Sequence, residues 1–196
     1  MTRQTNRGTG IKRQQILDAA IRILNQEQVH RCPVNDIARE AGIAKGTVYL
    51  YFSSKEELYF SVLFELTSQL QRIAEDIDAR NIPVKRKLRL LLERMGEHLG
   101  EHRQILSSLQ QERHSLKGKL RGQLHEKFHD VILSISRIVD KGIAQKQLKT
   151  YPAPLIGTVF FALASVLERR KPAKGFPELS VTPDMLFDII LNGIEQ

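Results

Sequence analysis

The chain has 196 residues, 41% hydrophobic and 27% charged, enough for a small motif-bearing unit fused to one further domain with its own core. Its formal charge of +8 favours a polyanionic partner, although basicity alone is weak evidence for one. The single cysteine, Cys32, excludes an internal disulfide framework and suits a reducing compartment, so the expected location is cytoplasmic.

Residues 1–9 carry Arg3 and Arg7 among polar neighbours and lack the apolar stretch of a signal peptide. They are expected to form a flexible basic arm, with a minor-groove contact and a frayed terminus as its two readings. A first helix follows from about Ile11 to Gln26, with Ile16, Leu17, Ala20, Ile23 and Leu24 on one face. Lys12 and Arg13 near its start are either phosphate contacts or solvated surface.

Residues 33–52 are the most informative stretch. Val34, Ile37, Ala38 and Ala41 fall at helical spacing, and Gly42 then supplies the positive backbone angle that ends a helix, with Ile43 able to pack back under the turn. Pro33 takes the place of a hydroxyl cap, its fixed backbone angle suiting a first helical turn. A second helix runs from Ala44 to Tyr51. Val48 and Phe52, four apart, face the core, which leaves Lys45, Thr47, Tyr49, Leu50 and Tyr51 at or near the outer surface. This is a helix-turn-helix, whose second helix fits the major groove of B-form DNA. Lys45, Tyr49 and Lys55 suit phosphate, Thr47 suits phosphate or a thymine methyl, and Gly46 lets the backbone approach the sugar-phosphate chain. Asn35 suits an adenine edge or a phosphate, and Leu50 suits a thymine methyl or nothing. The candidate DNA-binding set is therefore Asn35, Lys45, Gly46, Thr47, Tyr49, Leu50, Tyr51 and Lys55.

The combination of Asp36-Ile37-Ala38, Ala41-Gly42-Ile43, Lys45-Gly46-Thr47-Val48-Tyr49, Tyr51-Phe52 and Ser54-Lys55-Glu56-Glu57-Leu58 resembles the tetracycline-repressor (TetR-type) transcriptional regulators over roughly residues 10 to 65. The resemblance implies an all-α homodimer with an N-terminal DNA-binding domain and a divergent C-terminal domain that usually binds a small effector. It also implies dimerisation through the last two helices in a four-helix bundle. On this reading residues 10–58 are the DNA-binding domain, 59–82 a connecting helix and 83–196 the effector-binding and dimerisation domain.

Ser53 and Glu56 read as a capping box opening a long helix through Leu58, Leu63, Leu66, Leu70, Ile73 and Ile77, which ends near Arg80 before the Asn81-Ile82-Pro83 break. Further helices are expected at about 84–99, 103–113, 119–146, 153–170 and 183–194. The apolar run from Ala153 to Leu167 is shorter than the ~20 residues needed to span a bilayer, so a buried helix and no membrane association are expected. The final helix has Thr182 as cap, Pro183 in its first turn and an apolar surface too broad for one seam. With the helix from Ala153 it is the candidate dimer interface. Arg169 to Pro177 reads as a loop.

His98/His102 and His125/His129 are spaced four apart, as metal ligands on one helical face would be, with solvated surface as the competing reading. Gly100 is a candidate helix end between the first pair. Phe60, Phe64, Leu66, Met95, Phe128, Phe160 and Phe161 read as core rather than as an effector site. No phosphate loop, nucleophile elbow or firm metal motif is present, so neither an enzyme nor a cofactor is expected. The function expected is a sequence-specific DNA-binding regulator, a ligand-relieved homodimeric repressor on a palindromic operator. The alternatives are a regulator without a small effector and a helical protein-interaction module.

Overall fold

The computed structural model describes residues 3–26, 32–112, 119–167 and 182–194, which form nine helices with no strand among them. The all-α expectation holds. Helix α1 (Arg3–Gln26) begins well before Ile11, so most of the expected flexible arm is helical here. Ile16, Leu17, Ala20 and Leu24 pin the later turns in a core, and each residue added to an existing helix gains a hydrogen bond without a new nucleus. The expected loop at Arg169–Pro177 lies outside the described residues.

After α1 come α2 (Val34–Glu40), α3 (Lys45–Tyr51), α4 (Lys55–Ala79), α5 (Val84–Glu101), α6 (Arg103–Glu112), α7 (Lys119–Ala144), α8 (Ala153–Leu167) and α9 (Pro183–Ile194). The packing forms two compact units: Met1–Leu66 with His102–Leu124, and Thr67–Glu101 with His125–Gln196. Helix α6 thus groups with the N-terminal unit, although it follows the break at Pro83. Periodicity shows which face of a helix is buried, but not which neighbours bury it.

In the first unit, Ile16, Leu17, Leu24, Ile37, Val48, Phe52, Leu58 and Val62 are almost completely buried. In the second, Leu88, Leu91, Leu92 and Met95 of α5 are buried, and α5 packs on α8 and α9. Close approach there depends on small residues. A Cβ on Gly157 would lie 2.9 Å from Ser136 Oγ and 3.0 Å from the Ile132 carbonyl oxygen, so α8 crosses α7 almost backbone to backbone. Polar ties close the lower end: Lys87 donates to the Asp78 carbonyl at 2.6 Å and Lys141 to the Asp78 carboxylate at 2.7 Å. The Lys87 cation sits at the C-terminus of α4, where the helix dipole favours positive charge. Thr182 caps α9 as expected, accepting from the Met185 N–H at 3.2 Å.

Candidate nucleic-acid interface

Helices α2 and α3 have seven residues each, too few to persist in water alone, so tertiary contacts hold them. Val34, Ile37, Ala38 and Ala41 are buried, and α2 packs on α1. Gln15 donates to the Ala41 carbonyl at 2.9 Å, and Arg22 pairs with Glu40 at 2.7 Å, fastening α1 along the helix it supports. Pro33 is the N-cap of α2 rather than its first helical residue, with φ −75° and ψ 146° and no side-chain cap bond. A cap residue is extended, and proline's fixed φ suits that conformation equally well. Asp36, in the first turn, places a carboxylate where the dipole favours it and pairs with Arg39 at 2.8 Å.

The turn follows from Gly42, whose φ is +66°. Its N–H donates to the Arg39 carbonyl at 3.1 Å and that of Ile43 to the Ala38 carbonyl at 3.0 Å. These two bonds make a Schellman motif and satisfy the carbonyls that the end of α2 leaves open.

Helix α3 sorts its side chains by a four-residue repeat. Val48 and Phe52 point inward and are both buried. Lys45 with Tyr49, and Gly46 with Leu50, are exposed, Tyr49 by 43% and Leu50 by 82%. Thr47 and Tyr51 are half-buried, because positions adjacent to the inward Val48 and Phe52 lie at the edge of the contact. Asn35 is exposed on α2. Lys55, half-buried at the start of α4, holds its ammonium 5.1 Å from the Tyr59 ring centroid. All eight residues named from the sequence belong to the first unit.

One support was not legible in the sequence, and another was legible one residue out of register. The Arg13 guanidinium lies 4.9 Å from the Phe52 ring centroid and donates to Ser61 Oγ at 3.0 Å, so it braces the end of α3 against α4. Its separation from both partners leaves no local signal. The cap of α4 is one residue later than expected. Helix α4 starts at Lys55, which makes Ser54 the cap: its hydroxyl accepts from the Glu57 N–H at 3.1 Å. Glu57 reaches back to the Ser53 N–H at 2.7 Å and accepts from the Ser53 hydroxyl at 2.5 Å. The Ser53 hydroxyl first, and then its N–H, hold the Glu57 carboxyl below the ordinary glutamate range. Glu56 is lowered too, chiefly by its own backbone N–H and then by the Ser54 hydroxyl.

Other expected features are dispersed. Gly100 does not end α5, which continues to Glu101; a glycine inside a helix weakens it without breaking it. His98 is buried in the second unit, whereas His102 belongs to the first, where its Nδ1 lies 3.0 Å from the Asn25 amide nitrogen. His125 and His129 are exposed on α7. Among the described residues no group of three or more His, Cys, Asp or Glu side chains could hold a metal ion, and no helix is long and apolar enough to cross a membrane. Phe60, Phe64 and Leu66 lie in the first unit, while Met95, Phe128, Phe160 and Phe161 lie in the second.

The family model described as "Bacterial regulatory proteins, tetR family" matches residues 16–62, the span from the buried face of α1 into α4. The "Fatty acid metabolism regulator protein" of Bacillus subtilis (strain 168) is 32% identical over 141 residues, covering 70% of this chain and 71% of that protein. The solved structure of FadR from Bacillus subtilis in complex with stearoyl-CoA is similar at 25% identity and a TM-score of 0.70, over 93% of this chain and 99% of that one. The fatty acid degradation regulator FadR from Bacillus halodurans shares the fold at 23% identity and a TM-score of 0.71, over 93% of this chain and 95% of its own. The chain belongs to the tetR family of bacterial regulatory proteins and is a DNA-binding transcriptional regulator.

Proposed function

We propose that this regulator is a cytoplasmic homodimeric repressor, without enzymatic activity, that places α3 of each subunit in successive major grooves of a palindromic operator. The outward face of α3 carries this reading: Lys45, Gly46, Tyr49 and Leu50 are exposed together, while Val48 and Phe52 anchor the opposite side. Lys45, Lys55 and Tyr49 contact phosphate, Thr47 and Tyr51 flank the backbone, and Asn35 and Leu50 reach for base edges. Residues 10–58 form the DNA-binding domain, 59–82 the connector and 83–196 the effector and dimer domain.

The dimer contact is assigned to α8 and α9. Leu155 is 55% exposed on α8, and Met185 and Ile189 are 56% and 69% exposed on α9, with Val159 and Val166 continuing the α8 stripe. Large apolar side chains at helical spacing on two elements of one unit suit burial by a second copy.

The effector is assigned to the long-chain acyl-coenzyme A class, because the Bacillus subtilis FadR structure is a stearoyl-CoA complex. Binding between helices of the second unit lowers operator affinity by favouring a state with the wrong recognition-helix spacing, which requires only a typical coupling of about 1–3 kcal/mol.

Duplexes enriched from a random pool by the purified protein, footprinted and titrated with salt, test the DNA part. Two-fold symmetric protection and a log–log salt slope of about −0.9 per neutralised phosphate are expected; a flat slope refutes it. Stearoyl-CoA should release the complex whereas coenzyme A alone should not. Retention at saturating stearoyl-CoA refutes the effector part only.

A further inference from the structure

Leu50 is 82% exposed, more than any other large hydrophobic side chain among the described residues, and it lies on the face that the proposed function gives to DNA. Side chains on a helix lean toward its N-terminus, so Leu50 lies over the turn containing Gly46, four residues earlier. That turn is bare. A Cβ built on Gly46 meets no atom within 4 Å, and Gly42 is the described glycine with a positive φ. Neither backbone conformation nor packing among the described residues therefore requires glycine at 46, although glycine weakens a helix. An exposed leucine beside an unforced glycine makes a shallow apolar seat that no described residue fills.

The edges of base pairs offer one apolar group of matching size, the C5 methyl of thymine in the major groove. Leucine has no donor or acceptor with which to read anything else there. We propose that Leu50, seated over Gly46, is a specificity-determining residue that reads a pyrimidine C5 methyl at one position in each operator half-site. It rests on α3 being the groove helix. Because the contact is with the methyl and not with the pairing edge, 5-methylcytosine supplies the same group, and cytosine methylation at that position strengthens binding.

The test uses the full chain and an operator duplex selected from a random pool. Each thymine is replaced in turn by deoxyuridine, which removes only the methyl, and affinity is measured by fluorescence anisotropy for the native protein and for Leu50→Ala. One thymine per half-site should lose about fourfold on methyl removal, the value of one buried methyl-sized group. In Leu50→Ala that same substitution should cost nothing. Exchanging that T·A pair for C·G, with and without the C5 methyl, should show the methylated cytosine bound more tightly by the native protein alone. A uracil scan that is flat, or a methyl effect equal in both proteins, overturns the inference while leaving DNA binding intact. Failure to enrich any duplex overturns both readings. Leu50→Ala should unfold at an unchanged temperature, because the side chain it shortens is in water.

Discussion

Two glycines four residues apart, Gly42 and Gly46, should respond in opposite ways to the same substitution. Gly42 holds φ +66°, and a Cβ there meets nothing within 4 Å, so alanine clashes with no neighbour. What it does meet is the backbone penalty for an L-residue in the left-handed region, about 1–2 kcal/mol. Gly46 has an equally empty surround and an ordinary helical backbone at the second position of α3. Alanine there narrows the unfolded ensemble and should stabilise the protein by about 0.4–1 kcal/mol. In thermal unfolding Gly42→Ala should melt several degrees lower, and Gly46→Ala about 1–4 °C higher.

DNA binding separates the pair further. If the bare backbone at Gly46 approaches the operator, an added methyl overfills that contact at about 1–3 kcal/mol per half-site, on the order of tenfold in affinity. Gly46→Ala should therefore be the more stable protein and the weaker binder, a combination that global damage to the fold does not produce. Circular dichroism melts and anisotropy titrations on the same preparations read both quantities. Native operator affinity in Gly46→Ala would refute the close approach, and a lowered melting temperature would refute the account of an unforced glycine.

Lys45→Ala should weaken binding to all duplexes alike and reduce the salt slope by about one per subunit, measured by titration between low and moderate salt; an unchanged slope removes Lys45 from the phosphate contacts. Ile189→Asp, and independently Leu155→Asp, should give monomers in sedimentation velocity, since each puts a charge in the proposed dimer face; a persistent dimer places the interface elsewhere. Glu57 links the cap of α4 to pH. Its carboxyl is lowered in the folded protein, so its stabilisation is present above the ordinary glutamate range and is lost as pH falls through the lowered value. Glu57→Gln should therefore lower stability near neutrality and reduce the acid-side dependence in pH-resolved denaturant melts. An unaltered acid limb would count against the linkage.

The recognition turn was legible because it is local. Glycine after an apolar-periodic helix, followed by Ile43, specifies a reversal through bonds spanning only a few residues, and α4 and α9 were readable from similar signals. The start of α1 was not, because its first turns depend on a helix held further along. The α4 cap slipped by one because two consecutive serines, Ser53 and Ser54, and two consecutive glutamates, Glu56 and Glu57, allow two registers. Only the start of the helix at Lys55 chooses between them. The bracing role of Arg13 left no signal because its partners, Phe52 and Ser61, are distant in sequence, and the grouping of α6 with the first unit has the same cause. Long-range pairing leaves no periodic trace in one sequence.

That grouping bears on how release would reach DNA. The chain passes between the two units within α4, between Glu101 and His102, and within α7. At the second passage α5, packed on α8 and α9, hands directly to α6, which packs on α1. His102 stands at this junction with its Nδ1 3.0 Å from the Asn25 amide nitrogen. A hydrogen bond contributes about 0.5–1.5 kcal/mol net, of the same order as a typical coupling energy, so losing it can weaken coupling without unfolding the protein. Asn25→Ala should retain operator affinity within a few-fold in the absence of effector yet show a smaller loss of affinity when stearoyl-CoA is added. Effector binding measured without DNA should remain unchanged. A full effector response in Asn25→Ala would take this hydrogen bond out of the coupling.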